Sequence, residues 1–123
     1  MEKPCRLLII DDSQEILAAL VHFFTQKGYD VVSANNGLDG LKHIEAQDAH
    51  FNLIITDLVL PNISGVAIIS IAKKNLPGIP VIAITGWGEH PESLAKEANA
   101  DVVLEKPFKL PQIEQLVKKL LNQ

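Results

Sequence analysis

The sequence predicts an α/β protein, a five-stranded parallel sheet with helices on both faces. Short and almost wholly apolar runs recur five times along the 123 residues, as expected of strands buried on both sides. The segments between them carry apolar residues at helical spacing. No linker, repeat or low-complexity tract breaks the alternation, so residues 1–123 read as a single domain with no output domain attached.

Leu7-Leu8-Ile9-Ile10 is the first strand, stopped by Asp11-Asp12. Residues 13–27 form a helix on Ile16, Leu17, Leu20, Phe23 and Phe24, capped by Asp12 or Ser13 and followed by Gly28. Tyr29 to Ala34 is the second strand. Asn36 caps a helix carrying Leu38, Leu41 and Ile44. Phe51 to Thr56 is the third strand, ending at Asp57. Residues 64–74 pose a conflict: Val66-Ala67-Ile68-Ile69-Ser70-Ile71 favours strand on propensity, whereas Ser64-Gly65 and the segment's length favour a helix, and a helix is expected. Pro77-Gly78 turns the chain, and Pro80 opens a fourth strand through Ile84. Residues 91–98 fit a short helix, Val102 to Leu104 a fifth strand. Ile113, Leu116, Val117, Leu120 and Leu121 mark an amphipathic last helix. Five strand–helix pairs imply right-handed crossovers and a parallel sheet covered on both faces.

Composition narrows the function. The chain is 47% apolar and 21% charged, ordinary values for a folded globular chain. A net charge of −4 without a Lys/Arg run argues against direct nucleic-acid binding. Cys5 is the single cysteine, so no internal disulfide forms; it reads as a small buried hydrophobe. No apolar run reaches membrane-span length and no signal-peptide core follows Met1, so the expected address is the cytoplasm with no membrane contact. His22, His43, His50 and His90 have no metal-ligand spacing.

In an open parallel sheet, ligands bind beyond the carboxyl ends of the strands. Those ends carry Asp11-Asp12, Asp57, Thr85-Gly86 and Glu105-Lys106-Pro107-Phe108. Gathered acids repel one another and resist ionisation. A hard cation such as Mg²⁺, or Mn²⁺ in its place, relieves this and tolerates a phosphate as a further ligand. Phosphoryl transfer needs little beyond positioning and charge stabilisation. Asp57 would be the nucleophile, with the metal, Lys106 and the Thr85 hydroxyl each taking one phosphoryl oxygen. Alone, Asp-Asp after a strand is an ordinary helix cap, Thr85-Gly86 a turn and Lys106-Pro107 a loop. The set in order carries the reading.

Leu8-Ile9-Ile10-Asp11-Asp12, Asn36-Gly37, Ile55-Thr56-Asp57-Leu58-Val59-Leu60-Pro61, Ile84-Thr85-Gly86 and Lys106-Pro107-Phe108 together resemble bacterial response-regulator receiver domains of two-component systems, chemotaxis regulators among them. The likeness covers nearly the whole chain. It implies a flavodoxin-like three-layer (βα)5 sandwich with strand order 2-1-3-4-5. It implies that Asp57 is the phosphorylated residue, that Asp12, Asp57 and the Val59 main-chain carbonyl ligate Mg²⁺, and that Asp11 acts through a bound water. Thr85 would be the switch hydroxyl. Lys106 would pair with the phosphoryl group, next to a cis bond to Pro107. The donor would be a phosphohistidine on a sensor histidine kinase or a histidine phosphotransfer protein. A downstream protein of unstated identity would read the face of the fourth predicted helix, the fifth strand and the fifth predicted helix. The protein would be a monomer or a phosphorylation-dependent homodimer. It would be a signalling module that gains and loses its own phosphoryl group, not a turnover enzyme.

Three positions depart from the family's pattern. Many members carry an aromatic residue three places before the lysine that swings inward with the switch hydroxyl. Here the residue is Val103, small and stiff at χ1. Val59 and Trp87, two residues after Asp57 and Thr85, form an apolar pair flanking the path of water to the acyl phosphate beside Gly86 and Pro107, which implies slow self-dephosphorylation. Ser64 stands where the family often has Asp, and still caps.

Other functions fit less well. A receiver acting as a phosphorylation-independent interaction module would not need all five chemical residues. An aspartate-nucleophile phosphohydrolase places its acid after the first strand as Asp-x-Asp, and here that strand leads into Asp11-Asp12-Ser13. A flavin carrier needs a phosphate cradle in the first loop, where Asp11-Asp12 would repel the phosphate.

Overall fold

The computed structural model describes residues 4–86 and 99–122. Within them the chain forms β1 (Arg6–Ile10), α1 (Gln14–Gln26), β2 (Asp30–Ala34), α2 (Gly37–Glu45), β3 (Leu53–Asp57), α3 (Gly65–Asn75), β4 (Val81–Thr85), β5 (Val102–Glu105) and α4 (Leu110–Leu120). The expected helix over 91–98 lies outside the described residues, as do Trp87 and His90.

The strands pair in parallel in the order β2-β1-β3-β4-β5. Period-two geometry sends alternate side chains to opposite faces. Leu7 and Ile9, Leu53 and Ile55, and Ile82 and Ile84 face a core completed by Leu20 and Phe24 of α1 and Ile113 and Val117 of α4. Leu8 and Ile10, Ile54, and Val81 and Ala83 face the opposite core, with Ile44 of α2 and Ile68, Ile69 and Ala72 of α3. The central strands are buried on both faces, which is why they read as unbroken apolar runs.

Local signals hold the helix ends. The Ser13, Asn36 and Ser64 side chains accept N–H bonds from Ile16, Asp39 and Ala67, at 3.3, 2.8 and 3.3 Å. At the end of α1, Gly28 adopts φ 94°, Gly28 N–H bonds the Thr25 carbonyl and Tyr29 N–H reaches back to that of Phe24. This is a Schellman closure, and Tyr29 stacks edge-on against Phe24 at 5.4 Å. In α3 the β-branched run is helical after all. The Ser64 cap and burial of Ile68 and Ile69 outweigh a weak propensity. Asp101 fixes the entry of β5: its Oδ2 accepts from Val81 N–H and Lys73 Nζ, both at 2.7 Å.

Leu38 is 46% exposed: it sits in the first turn of α2, and that helix buries Gly37, Gly40 and Ile44. Cys5 is half-buried rather than buried, because it precedes β1 and lies outside the sheet.

Candidate functional site

In this strand order the chain leaves β1 for β2 on one side, while β3 lies on the other. The switch point therefore falls between the carboxyl ends of β1 and β3. Ile10 pairs with Thr56, Asp57 with Ile84 and Thr85 with Glu105. These pairings bring the ends of β1, β3, β4 and β5 level, so the polar residues just beyond them share one edge.

Carboxylate oxygens of Asp11, Asp12 and Asp57 lie within 4.8 Å of one another. Asp11 is fully buried, Asp57 nearly so and Asp12 exposed. Each buried acid is oriented by the main chain two residues on. Asp11 Oδ1 accepts the Ser13 N–H and Asp57 Oδ1 accepts the Val59 N–H, both at 2.9 Å. Lys106 Nζ donates to Asp57 Oδ2 at 2.8 Å and makes an ion pair with Asp11 Oδ2 at 3.3 Å. The Lys106–Pro107 bond is cis, as expected, and Lys106 N–H bonds the Thr85 carbonyl at 2.8 Å.

The electrostatics follow from this packing. Burial raises the Asp11 carboxyl above its ordinary range. The Ser13 N–H and the Lys106 ammonium oppose that rise, and Asp57 adds to it. Burial alone would lower the Lys106 ammonium, but the hydrogen bond and charge of Asp57, with those of Asp11, raise it overall.

The donor set suits a hard cation. It consists of oxygens at the spacing of a shared ligand sphere. Among the described residues, Asp11 Oδ2 is buried without a hydrogen-bond partner. The Lys106 ammonium at 3.3 Å is its charged neighbour, but one ammonium cannot balance three gathered carboxylates, so the residues present fit a divalent ion.

Of the other residues expected here, Thr85 is fully buried at the end of β4 and Val59 is 55% exposed beside Asp57. Val103 is half-buried against the α2–α3 core. Gly86 and Pro107 border a groove of about 510 Å³ with Ile16, Leu20, Lys106 and Phe108. Trp87 lies outside the described residues. Two contributors were missed in the sequence. Ser13 was read only as a cap, yet its N–H also orients Asp11. Gly65 was read only as a helix start, yet a Cβ there would lie 2.1 Å from the Asp57 carbonyl oxygen. A glycine opening a helix eight residues after a strand-end acid was the available signal.

Known proteins share both pattern and fold. Residues 7–118 match the response regulator receiver domain family. The transcriptional regulatory protein GlrR of Escherichia coli (strain K12) is 34% identical over 93 residues, which is 76% of this chain and 20% of that protein. The chain thus spans about a fifth of that relative's length, and the relatives include sensor kinases as well as regulators. The crystal structure of a response regulator receiver domain protein (CheY-like) from Methanospirillum hungatei JF-1 superposes with a TM-score of 0.88 at 31% identity, covering 97% of this chain and 94% of that one. Response regulator protein TrrA from Thermotoga maritima, solved in complex with Mg(2+)-BeF, gives 0.83 at 29% identity, covering 95% and 99%. The match runs from β1 into α4 on a sheet of the same order, with its acids gathered at the switch point, and the chain therefore belongs to the response regulator receiver domain family.

Proposed function

We propose that Asp57 accepts a phosphoryl group from the phosphohistidine of a sensor kinase or histidine phosphotransfer protein, and that the resulting acyl phosphate is the signal. The observation that carries this reading is the Lys106 ammonium 2.8 Å from the Asp57 carboxylate, in a cluster of three acids spaced for one cation. Asp12, Asp57 and the Val59 carbonyl would hold Mg²⁺ or Mn²⁺, with Asp11 reaching it through water. When bound, the ion supplies charge neutralisation for an incoming phosphoryl group.

The remaining steps belong to the chain's own residues. The Val59 N–H fixes the Asp57 carboxylate in orientation. A carboxylate oxygen of Asp57 forms the bond to phosphorus as the phosphorus–nitrogen bond of the donor imidazole breaks, and the departing imidazole nitrogen takes a proton from solvent. Lys106 transfers its ammonium from the carboxylate to a phosphoryl oxygen, and the Thr85 hydroxyl takes another. The stored phosphoryl group is the output, so no released product defines the activity.

Incubation with Mg²⁺ and acetyl phosphate, followed by intact mass measurement, tests this. Wild type is expected to gain one phosphoryl mass and Asp57→Asn none. An adduct that persists in Asp57→Asn overturns the assignment.

A further inference from the structure

We infer that the Lys106 ammonium is an internal counter-ion that competes with the divalent cation, holding down the metal affinity of the unphosphorylated site. This rests on the proposed reading of the acidic cluster as a metal site and adds how that site is regulated.

The geometry argues it directly. Lys106 Nζ bridges the two buried acids, 2.8 Å from Asp57 Oδ2 and 3.3 Å from Asp11 Oδ2. Those acids belong to the same cluster whose oxygens all lie within 4.8 Å. A cation serving the three acids must therefore sit within a few ångströms of a fixed positive charge. Asp11 and Asp57 have side-chain exposures of 1% and 7%, and Lys106 only 21%, so water screens the repulsion poorly. Formally, three carboxylates and one ammonium leave two negative charges for a divalent ion, where the acids alone would offer three. Once a phosphoryl group stands on Asp57, Lys106 has a new anionic partner and the competition ends. Metal binding and phosphorylation thereby become coupled through one side chain, and such coupling is reciprocal.

The test is calorimetric titration of Mg²⁺ into unphosphorylated wild type, Lys106→Met and Lys106→Arg. Lys106→Met is expected to bind about tenfold more tightly than wild type, equivalent to about 1.4 kcal/mol, and Lys106→Arg within about twofold of it, because its charge remains. Equal or weaker binding by Lys106→Met overturns the inference while leaving the metal site standing. No binding by any of the three proteins at millimolar Mg²⁺ overturns both. Reciprocity supplies a readout on the native chain. Saturating Mg²⁺ should increase modification of the Lys106 amine by acetic anhydride, mapped by mass spectrometry, and unchanged modification overturns the competition. Thermal unfolding guards against a misfolded variant: the rise in Tm caused by Mg²⁺ should be larger for Lys106→Met than for wild type, and an equal or smaller rise counts against the inference.

Discussion

Replacing Lys106 by Met in metal-free protein should destabilise the fold substantially. Lys106 is the cation on two buried acids, at 2.8 and 3.3 Å, and those acids are 7% and 1% exposed. Stripping one partner from a buried pair costs about 3–5 kcal/mol. Lys106 is itself 21% exposed, so water can partly replace it, and the low end, about 3 kcal/mol, applies. Unfolding entropy of about 2.1 cal/mol/K per residue over 123 residues converts that loss to a Tm lower by about 12 °C. The pH dependence has a defined sign. The Lys106 ammonium is raised above its ordinary 10.5 in the fold; its contribution is complete below 10.5 and is lost as pH rises through the raised value. Asp11, whose ordinary value is 3.8, is also raised. It takes a proton more readily folded than unfolded, so near that raised value the variant has one fewer stranded anion. The gap between wild type and variant should therefore be widest near neutrality and narrow in both directions. Differential scanning calorimetry in EDTA across pH measures it. A fall in Tm under about 4 °C at pH 7, or a gap that does not narrow in alkali, refutes the reasoning.

Gly65→Ala should cost about 2–3 kcal/mol and lower the acyl-phosphate yield, because its Cβ would lie 2.1 Å from the Asp57 carbonyl oxygen and 2.6 Å from Leu58 Cα. A denaturation midpoint equal to wild type would show that the α3 start can move away freely. Trp87→Ala should shorten the lifetime of the phosphorylated state, followed by intact mass after the donor is removed; a lifetime unchanged or longer counts against water exclusion by this side chain.

The sheet was legible because its central strands are buried on both faces. Leu7 to Ile10 and Leu53 to Thr56 are fully buried, and their shortness and the polar residues that bound them separate them from a buried helix. Strand ends moved by a residue or two: β4 extends to Thr85 and β5 to Glu105, because main-chain pairing continues past the apolar side chains. The strand order came from the likeness to receiver domains, since apolar runs state that strands pair and not which pair. At the site, the identities of the acids and of Lys106 were readable from strand ends. The bridging of Asp11 and Asp57 by one ammonium was not, because it depends on where β5 ends relative to β3. Leu38 shows the limit of periodicity: helical spacing groups it with Leu41 and Ile44, yet in the first turn of α2 it is 46% exposed.

If Asp57 is phosphorylated as proposed, Val103 restricts the routes by which the signal could leave it. Val103 pairs with Ala83 in register and packs half-buried against the core under α2 and α3. An aromatic side chain at this place could rotate between solvent and core, carrying the news of phosphorylation by a change of χ1. Valine has two γ-carbons, one strongly restricted χ1 and no ring to swing, so rotation there moves almost no volume. The remaining route is the main chain. Thr85 is fully buried, its carbonyl accepts the Lys106 N–H at 2.8 Å, and its strand partner is Glu105. If the Thr85 hydroxyl and the Lys106 ammonium both shift toward a phosphoryl group, the ends of β4 and β5 shift with them. Amide spectra of apo protein and of a phosphoryl-mimic complex should therefore differ at Thr85, Gly86, Leu104 and Glu105, while Val103 methyl shifts reflect displacement without a change of rotamer. Changes confined to residues 57–61 would mean that phosphorylation does not reach β5, and a Val103 rotamer change would restore the side-chain route.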